Sequence, residues 1–345
     1  MKHRVASLIV LVFLLSTVIA AQITRPRRVN QPVLEEVSAG DVVRINTTLV
    51  TVPVSVLDRQ GRFVSGLKRE DFHLFEDGVE QSIVHFEPTE MPFTVALLLD
   101  TSASTRFHLS EIKEAAITFA KKLRPQDRVL VVTFSDEVLT LTEATSDLEL
   151  ITDVIEADVR SGQSTRLYDA VNLVMNERLN KIKGRKAIVL FTDGVDTTSY
   201  LATGRSTLHD AEELDALIYP IQYDTRDYVS SMRGGGRITI LNNGNLWPFP
   251  TIVSSGSVKA NYDRADRYLR ALADRTGGRL YAANDPTQLA DAFTSIAEEL
   301  RRQYRLGYYP PAQTLTSTER HMLKVDVNKP GLAVRARNSY LRTSQ

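Results

Sequence analysis

The chain has 345 residues, enough for one large or two medium domains with a substantial core. Lysine plus arginine equals aspartate plus glutamate at 42 each, so net charge makes no case for nucleic acid or an acidic membrane surface as partner. Cysteine is absent, which excludes disulfides, thiolate metal sites, a cysteine nucleophile and a lipid-modified cysteine.

In chain order, residues 1–21 have the layout of a secretory signal peptide. MKHR is basic, ASLIVLVFLLSTVI is apolar, and Val18-x-Ala20 or Ile19-x-Ala21 places small residues before a cleavage point. An uncleaved anchor is the competing reading, but the run falls short of the ~20 residues a spanning helix needs. Export is therefore expected, to the periplasm, the cell surface or the medium, with no stable membrane insertion after cleavage. Residues 22–40 mix proline, charge and small polar residues without a period and read as a linker.

Residues 41–91 are rich in Val, Thr and Ile, with alternation in VVRINTTLVTVPVSVLD and a turn at Asp77-Gly78. They predict about four strands, too few to close alone. Residues 304–345 are strand-like again in YRLGYYP, HMLKVDVNK and LAVRARNSYL, with a turn at Pro330-Gly331. Together the two ends make a sandwich-sized pair of sheets, so one β-sandwich-like module with the middle of the chain inserted is expected. Two separate small sheets are the alternative.

The middle, 92–303, alternates strands and helices. TVALLLD, RVLVVTF, KAIVLFTD, LIYPIQY and RLYAA are the strands, and EVLTLT suits an edge hairpin. Ile112, Ala115, Ala116, Phe119, Ala120 and Leu123 mark one helix, and Leu167, Ala170, Val171, Val174, Met175 and Leu179 another. DAEELDAL and DRYLRALADRTGG follow, and Asp285-Pro286 starts the last helix, with Leu289, Phe293, Ile296 and Leu300 on one face. This rhythm predicts an α/β fold, a doubly wound, mostly parallel, Rossmann-like sheet with flanking helices. Residues 228–261, rich in Gly, Ser and Asn and holding the only Trp, Trp247, read as a long loop with a short strand at RITIL.

Ligands of open α/β sheets bind at the carboxyl ends of the strands. Asp100, Ser102 and Ser104 follow the first strand, Thr165 lies in SGQSTRLYDA just before a helix, and Asp193 ends KAIVLFTD. Two carboxylates and three hydroxyls are hard oxygen donors suited to Mg²⁺, and none of the His or Cys that favours zinc is among them. Five side chains, some acting through water, leave a position for an outside ligand, and few carboxylates keep the metal attractive to an incoming anion. Such a site binds rather than cuts.

DTSAS, the threonine of GQSTRLYDA and the aspartate of LFTDG resemble the metal-ion-dependent adhesion site of the von Willebrand factor type A family. The likeness covers 92–303. It implies a central parallel sheet flanked by helices and a divalent-metal site that recruits an acidic group of a protein ligand. It also implies that Ser102, Ser104 and Thr165 are direct or switchable ligands and that Asp100 and Asp193 act directly or through water, with Asp196 nearby at most as a support. Mg²⁺, Mn²⁺ and Ca²⁺ are all admissible. The LVTVPVSVLDRQGRFVSGLKREDFHLFEDG start and the QYRLGYYP tail also resemble secreted bacterial proteins of this family seen largely in acidobacteria, a group that implies no activity.

Arg106, Phe107, Arg166 and Trp247 are the candidates for selecting a partner by charge and contact area; ordinary exposed side chains are the plainer reading. Ser102 has no Gly-x-Ser-x-Gly elbow and no histidine in a context that marks a base. A phosphotransferase with paired aspartates is the better enzyme rival, but Ser102 occupies the position its acid–base carboxylate needs. The expectation is a non-enzymatic, metal-dependent protein-binding module. The alternative is a scaffold in which the metal stabilises the fold and a partner binds at 228–261.

Overall fold

The computed structural model describes residues 49–223, 225, 241–242, 245–246, 255–310 and 320–341. The expected signal peptide and linker, Trp247 and most of 228–254 lie outside the described residues. The chain starts with β1 (Val50–Leu57), β2 (Phe72–Glu76), β3 (Val79–Gln81) and β4 (His85–Glu87). The central region runs β5 (Phe93–Asp100), α1 (Leu109–Lys121), β6 (Arg128–Phe134), β7 (Val138–Thr145), α2 (Leu148–Asp158), α3 (Leu167–Asn172) and β8 (Arg185–Thr192). It continues through α4 (Gly204–Glu213), β9 (Leu217–Gln222), the short pair β10 (Leu241–Asn242) and β11 (Asn245–Leu246), α5 (Ser255–Thr276), β12 (Tyr281–Ala282) and α6 (Pro286–Arg302). Four strands follow: β13 (Tyr304–Tyr308), β14 (Arg320–Val327), β15 (Ala333–Ala336) and β16 (Ser339–Leu341).

The six-stranded sheet has the order β12-β9-β8-β5-β6-β7, parallel except for the antiparallel edge strand β7. Every residue of β5 is buried because the sheet is covered on both faces. Alternation divides its side chains. Val95, Leu97 and Leu99 pack with Ile112, Phe119, Phe293 and Ile296 of α1 and α6, whereas Ala96 and Leu98 pack with Leu167, Val171, Leu269 and Leu272 of α3 and α5. Asp285 starts α6 by accepting from the Gln288 N–H at 2.8 Å, with proline at the first helical position.

Apart from the short pair β10-β11, the remaining strands form two four-stranded sheets, β15-β1-β13-β4 and β16-β14-β2-β3, each with two strands from either end of the chain. Val52, Val54 and Val56 of the first meet Phe72, Leu74, Leu323 and Val325 of the second in a shared core. The doubly wound sheet with a sandwich-like module expected from the sequence is thus the observed fold class.

The chain enters the α/β layer after Glu87 and leaves it at Gln303, and both crossings run past Arg185. This buried side chain donates to Glu87 Oε2 at 3.1 Å, the Gln303 carbonyl at 2.8 Å and the Pro88 carbonyl at 2.5 Å. A second junction joins Glu299 of α6, fully buried, to Ser55 Oγ of β1 at 2.8 Å and to Arg335 of β15.

One expectation needs correction. Helix α5 begins at Ser255, inside the stretch read as a loop to Asn261, because the i, i+3, i+4 series of Tyr262, Ala265, Tyr268, Leu269 and Leu272 buries a full face and the polar SGSVKAN turns extend it. Of the RITIL segment only Leu241 is described, in β10, which pairs with β11 as a two-residue hairpin.

Candidate metal centre

Strand order reverses between β5 and β8, whose neighbours continue the sheet in opposite directions, so a crevice opens beyond their carboxyl ends. Asp100 is the last residue of β5, and Asp193 immediately follows β8. Both are buried, at 0% and 1% exposure.

The loop after β5 is folded by its own polar groups. Asp100 Oδ1 accepts from the Ser102 N–H at 3.0 Å, and Thr105 Oγ1 donates to the carbonyls of Asp100 and Ser102, each at 3.0 Å. This turn brings the Ser102 and Ser104 hydroxyls to 3.1 Å from each other. On the other side, Thr192 Oγ1 donates to Asp100 Oδ2 at 2.6 Å and accepts from the Gly194 N–H at 2.9 Å, joining the ends of β5 and β8. Gly194 has φ +83°, and a Cβ there would lie 2.8 Å from Leu269 Cδ1, so both backbone and space require glycine.

Asp193 is held from two directions. Its Oδ1 accepts from the Val195 N–H at 3.0 Å, and its Oδ2 from Thr225 Oγ1 at 2.8 Å, itself 2.7 Å from Tyr262 OH. Thr165 sits between the other loops. The Gly162 N–H donates to the Thr101 carbonyl at 2.7 Å, and the Thr165 carbonyl accepts from the N–H groups of Thr197 and Thr198, both at 3.0 Å. Asp136 fixes the turn before it, accepting from the N–H groups of Gln163 and Ser164 at 2.9 Å. Asp196 accepts from the Leu167 N–H at 2.9 Å at the start of α3, a capping contact.

The structure therefore brings together Asp100, Ser102, Ser104 and Asp193, with the Thr165 loop bonded to both neighbouring loops. Burial, and after it the neighbouring Asp193 charge, pushes the Asp100 carboxyl up to about 7. The penalty is that of two buried carboxylates sharing a space, and a bound cation relieves it. With two carboxylates and three hydroxyls, the donor set fits a hard divalent cation.

The candidate partner residues are less uniform. Arg106 is exposed and donates from Nε to Ser161 Oγ at 3.1 Å. Phe107 lies in the single turn Arg106–His108. The Arg166 guanidinium stacks on the Tyr200 ring at 4.7 Å, so part of its cationic face is engaged within the chain. His108 Nδ1 lies 2.8 Å from Glu111 Oε2 and 2.8 Å from Tyr223 OH, contacts that place it in a local network.

Thr192, Thr225, Asp136 and Asp169 were not singled out from the sequence. Asp169, buried, accepts from the N–H groups of Tyr200, Leu201 and Ala202 at 2.9–3.2 Å and thereby presents Tyr200 and Leu201, 68% and 71% exposed, beside the crevice. Thr192 precedes a motif aspartate and was open to inference; nothing near Asp136 or Asp169 marks a role that depends on distant backbone.

The sheet order and helices on both faces define a doubly wound α/β domain. Residues 95–195, from β5 to just beyond β8, match the von Willebrand factor type A domain. Among solved structures the chain is similar to an aerotolerance-related membrane protein of Bacteroides fragilis, at 14% identity and TM-score 0.41, over 60% of this chain and 98% of that one. It is similar to BatB of Bacteroides thetaiotaomicron at 17% identity and TM-score 0.41, over 60% and 97%. A von Willebrand factor type A protein of Catenulispora acidiphila is similar at 10% identity and TM-score 0.45, over 86% and 74%. No curated protein matches the chain.

Proposed function

We propose that the protein is an exported binding module in which Asp100, Ser102, Ser104, Thr165 and Asp193 hold Mg²⁺, or Mn²⁺ or Ca²⁺, and an Asp or Glu of a protein partner completes the coordination. The observation that carries this reading is the pair of serine hydroxyls 3.1 Å apart beside two buried carboxylates, at the switch point of a type A domain. When bound, the cation supplies a positive charge at the mouth of the crevice for an anionic side chain. The chain's own residues set the donors: Thr192 and the Ser102 N–H orient Asp100, and Thr225 and the Val195 N–H orient Asp193. Ser104 is partly exposed, which opens the donor set to solvent on its side.

Type A domains generally serve in interaction rather than catalysis. Position 102 supports the same reading, since a hydroxyl there cannot replace the acid–base carboxylate of a phosphotransferase. Among the described residues no helix is long and apolar enough to cross a membrane. The signal-like composition of residues 1–21 supports export.

The immobilised protein is expected to capture partners from the exported protein fraction in Mg²⁺ and to lose them in EDTA. Equal capture in both would instead favour a scaffold whose partner surface lies elsewhere, with 228–261 the first segment to delete.

A further inference from the structure

Away from the crevice, the turn between β2 and β3 meets the start of β14. His321 Nδ1 lies 2.8 Å from Asp77 Oδ2 and 3.5 Å from Glu76 Oε1, and the three residues offer ligand atoms all within 4.8 Å of one another. The Glu76 and His321 side chains are 2% and 5% exposed, whereas Asp77 is 48% exposed.

The cluster is preorganised. Asp77 has φ +49°, unusual for a residue with a side chain, and is tied to β14 by its own N–H to the Met322 carbonyl at 2.9 Å and by Oδ1 accepting from the Met322 N–H at 2.8 Å. Tyr340 OH donates to Glu76 Oε1 at 2.6 Å, and its ring stacks on the His321 imidazole at 5.3 Å between centroids. A closed structural network would use its buried polar atoms, yet Glu76 Oε2 and His321 Nε2 are both buried with no hydrogen-bond partner. An orphaned carboxylate oxygen beside an imidazole is a position that a water or an ion completes.

We infer that Glu76, Asp77 and His321 form a second metal site, for a borderline divalent transition ion such as Zn²⁺. One nitrogen and two carboxylates suit zinc, in contrast to the all-oxygen crevice. Tetrahedral ligation at ~2.0–2.1 Å separates neighbouring donor atoms by roughly 3.3 Å, and the two contacts of His321 Nδ1 bracket that separation. Binding displaces the Nδ1 proton and leaves the imidazole neutral with its proton on Nε2, and the cation offsets the buried charge of the Glu76 carboxylate, whose Oε1 is the oxygen facing Nδ1. The half-exposed Asp77 side leaves a position for water. The bound ion ties the β2–β3 turn to β14 across chain ends that are 244 residues apart.

The test uses the full chain carrying Asp100→Ala, so that the crevice does not contribute, titrated calorimetrically with Zn²⁺. One ion per chain is expected, with a rise in melting temperature. Adding His321→Gln is expected to weaken binding at least ~10-fold, the least that loss even of a residue supporting a ligand costs. Should His321→Gln fail to fold, Asp77→Asn on the exposed turn is expected to weaken binding by the same factor. Absence of Zn²⁺ binding to the Asp100→Ala chain, or affinity unchanged by both further substitutions, would overturn the site and leave a hydrogen-bond cluster.

Discussion

Asp100→Asn is expected to weaken Mg²⁺ binding at least ~100-fold without lowering the stability of the metal-free protein. A unit charge ~4 Å from a cation is worth about 4 kcal/mol per cation charge at an effective dielectric near 20, and the asparagine dipole recovers only part of it. Metal-free stability behaves oppositely because Asp100 is fully buried next to Asp193, so its charge is a cost in the absence of the ion. The substitution preserves volume, the amide oxygen still accepts from the Ser102 N–H, and Thr192 Oγ1, which donates to Oδ2 in the wild type, has to turn and accept from the amide N–H. Calorimetric titration with Mg²⁺ and urea denaturation in EDTA measure the two effects. A variant that unfolds more readily than wild type in EDTA would make Asp100 a structural residue rather than a ligand.

Arg335→Leu is expected to cost about 3–5 kcal/mol, the range for removing one partner of a buried ion pair. Glu299, at 0% exposure, then loses its cationic partner and keeps a neutral one, the Ser55 hydroxyl at 2.8 Å. The loss arises from the stranded carboxylate, so Arg335→Leu combined with Glu299→Gln is expected to recover most of it. Denaturant titration of the two single variants and the double variant gives the coupling directly. Additive losses would mean that the pair does not join α6 to β1 and β15 as its geometry implies.

These two sites also show what sequence carries and what it hides. The strands of the α/β layer were legible because burial on both faces demands unbroken apolar runs, as in Val95–Leu99, and the motif loops were legible because Asp100, Ser102 and Ser104 act on near neighbours. Helix α2 was not. Its cap is plain, with Asp147 Oδ1 accepting from the N–H groups of Glu149 and Leu150, but Leu148 and Leu150 are exposed while Ile151 and Ile155 are buried, which blurs the helical period. The mingling of strands from both chain ends within each small sheet, and partners such as Arg335 for Glu299 or Thr225 for Asp193, arise from tertiary contact and leave no local trace. The same holds for Glu76 and His321, on paired strands that the whole inserted layer separates in sequence.

The central claim is that three loops hold one cation and leave it open to an outside carboxylate. Anomalous diffraction from crystals grown with Mn²⁺ and acetate tests it most directly. The account predicts a single strong peak among Asp100, Ser102, Ser104, Thr165 and Asp193 with acetate or water bound on the solvent side; no peak there, or an ion enclosed wholly by protein atoms, would contradict it.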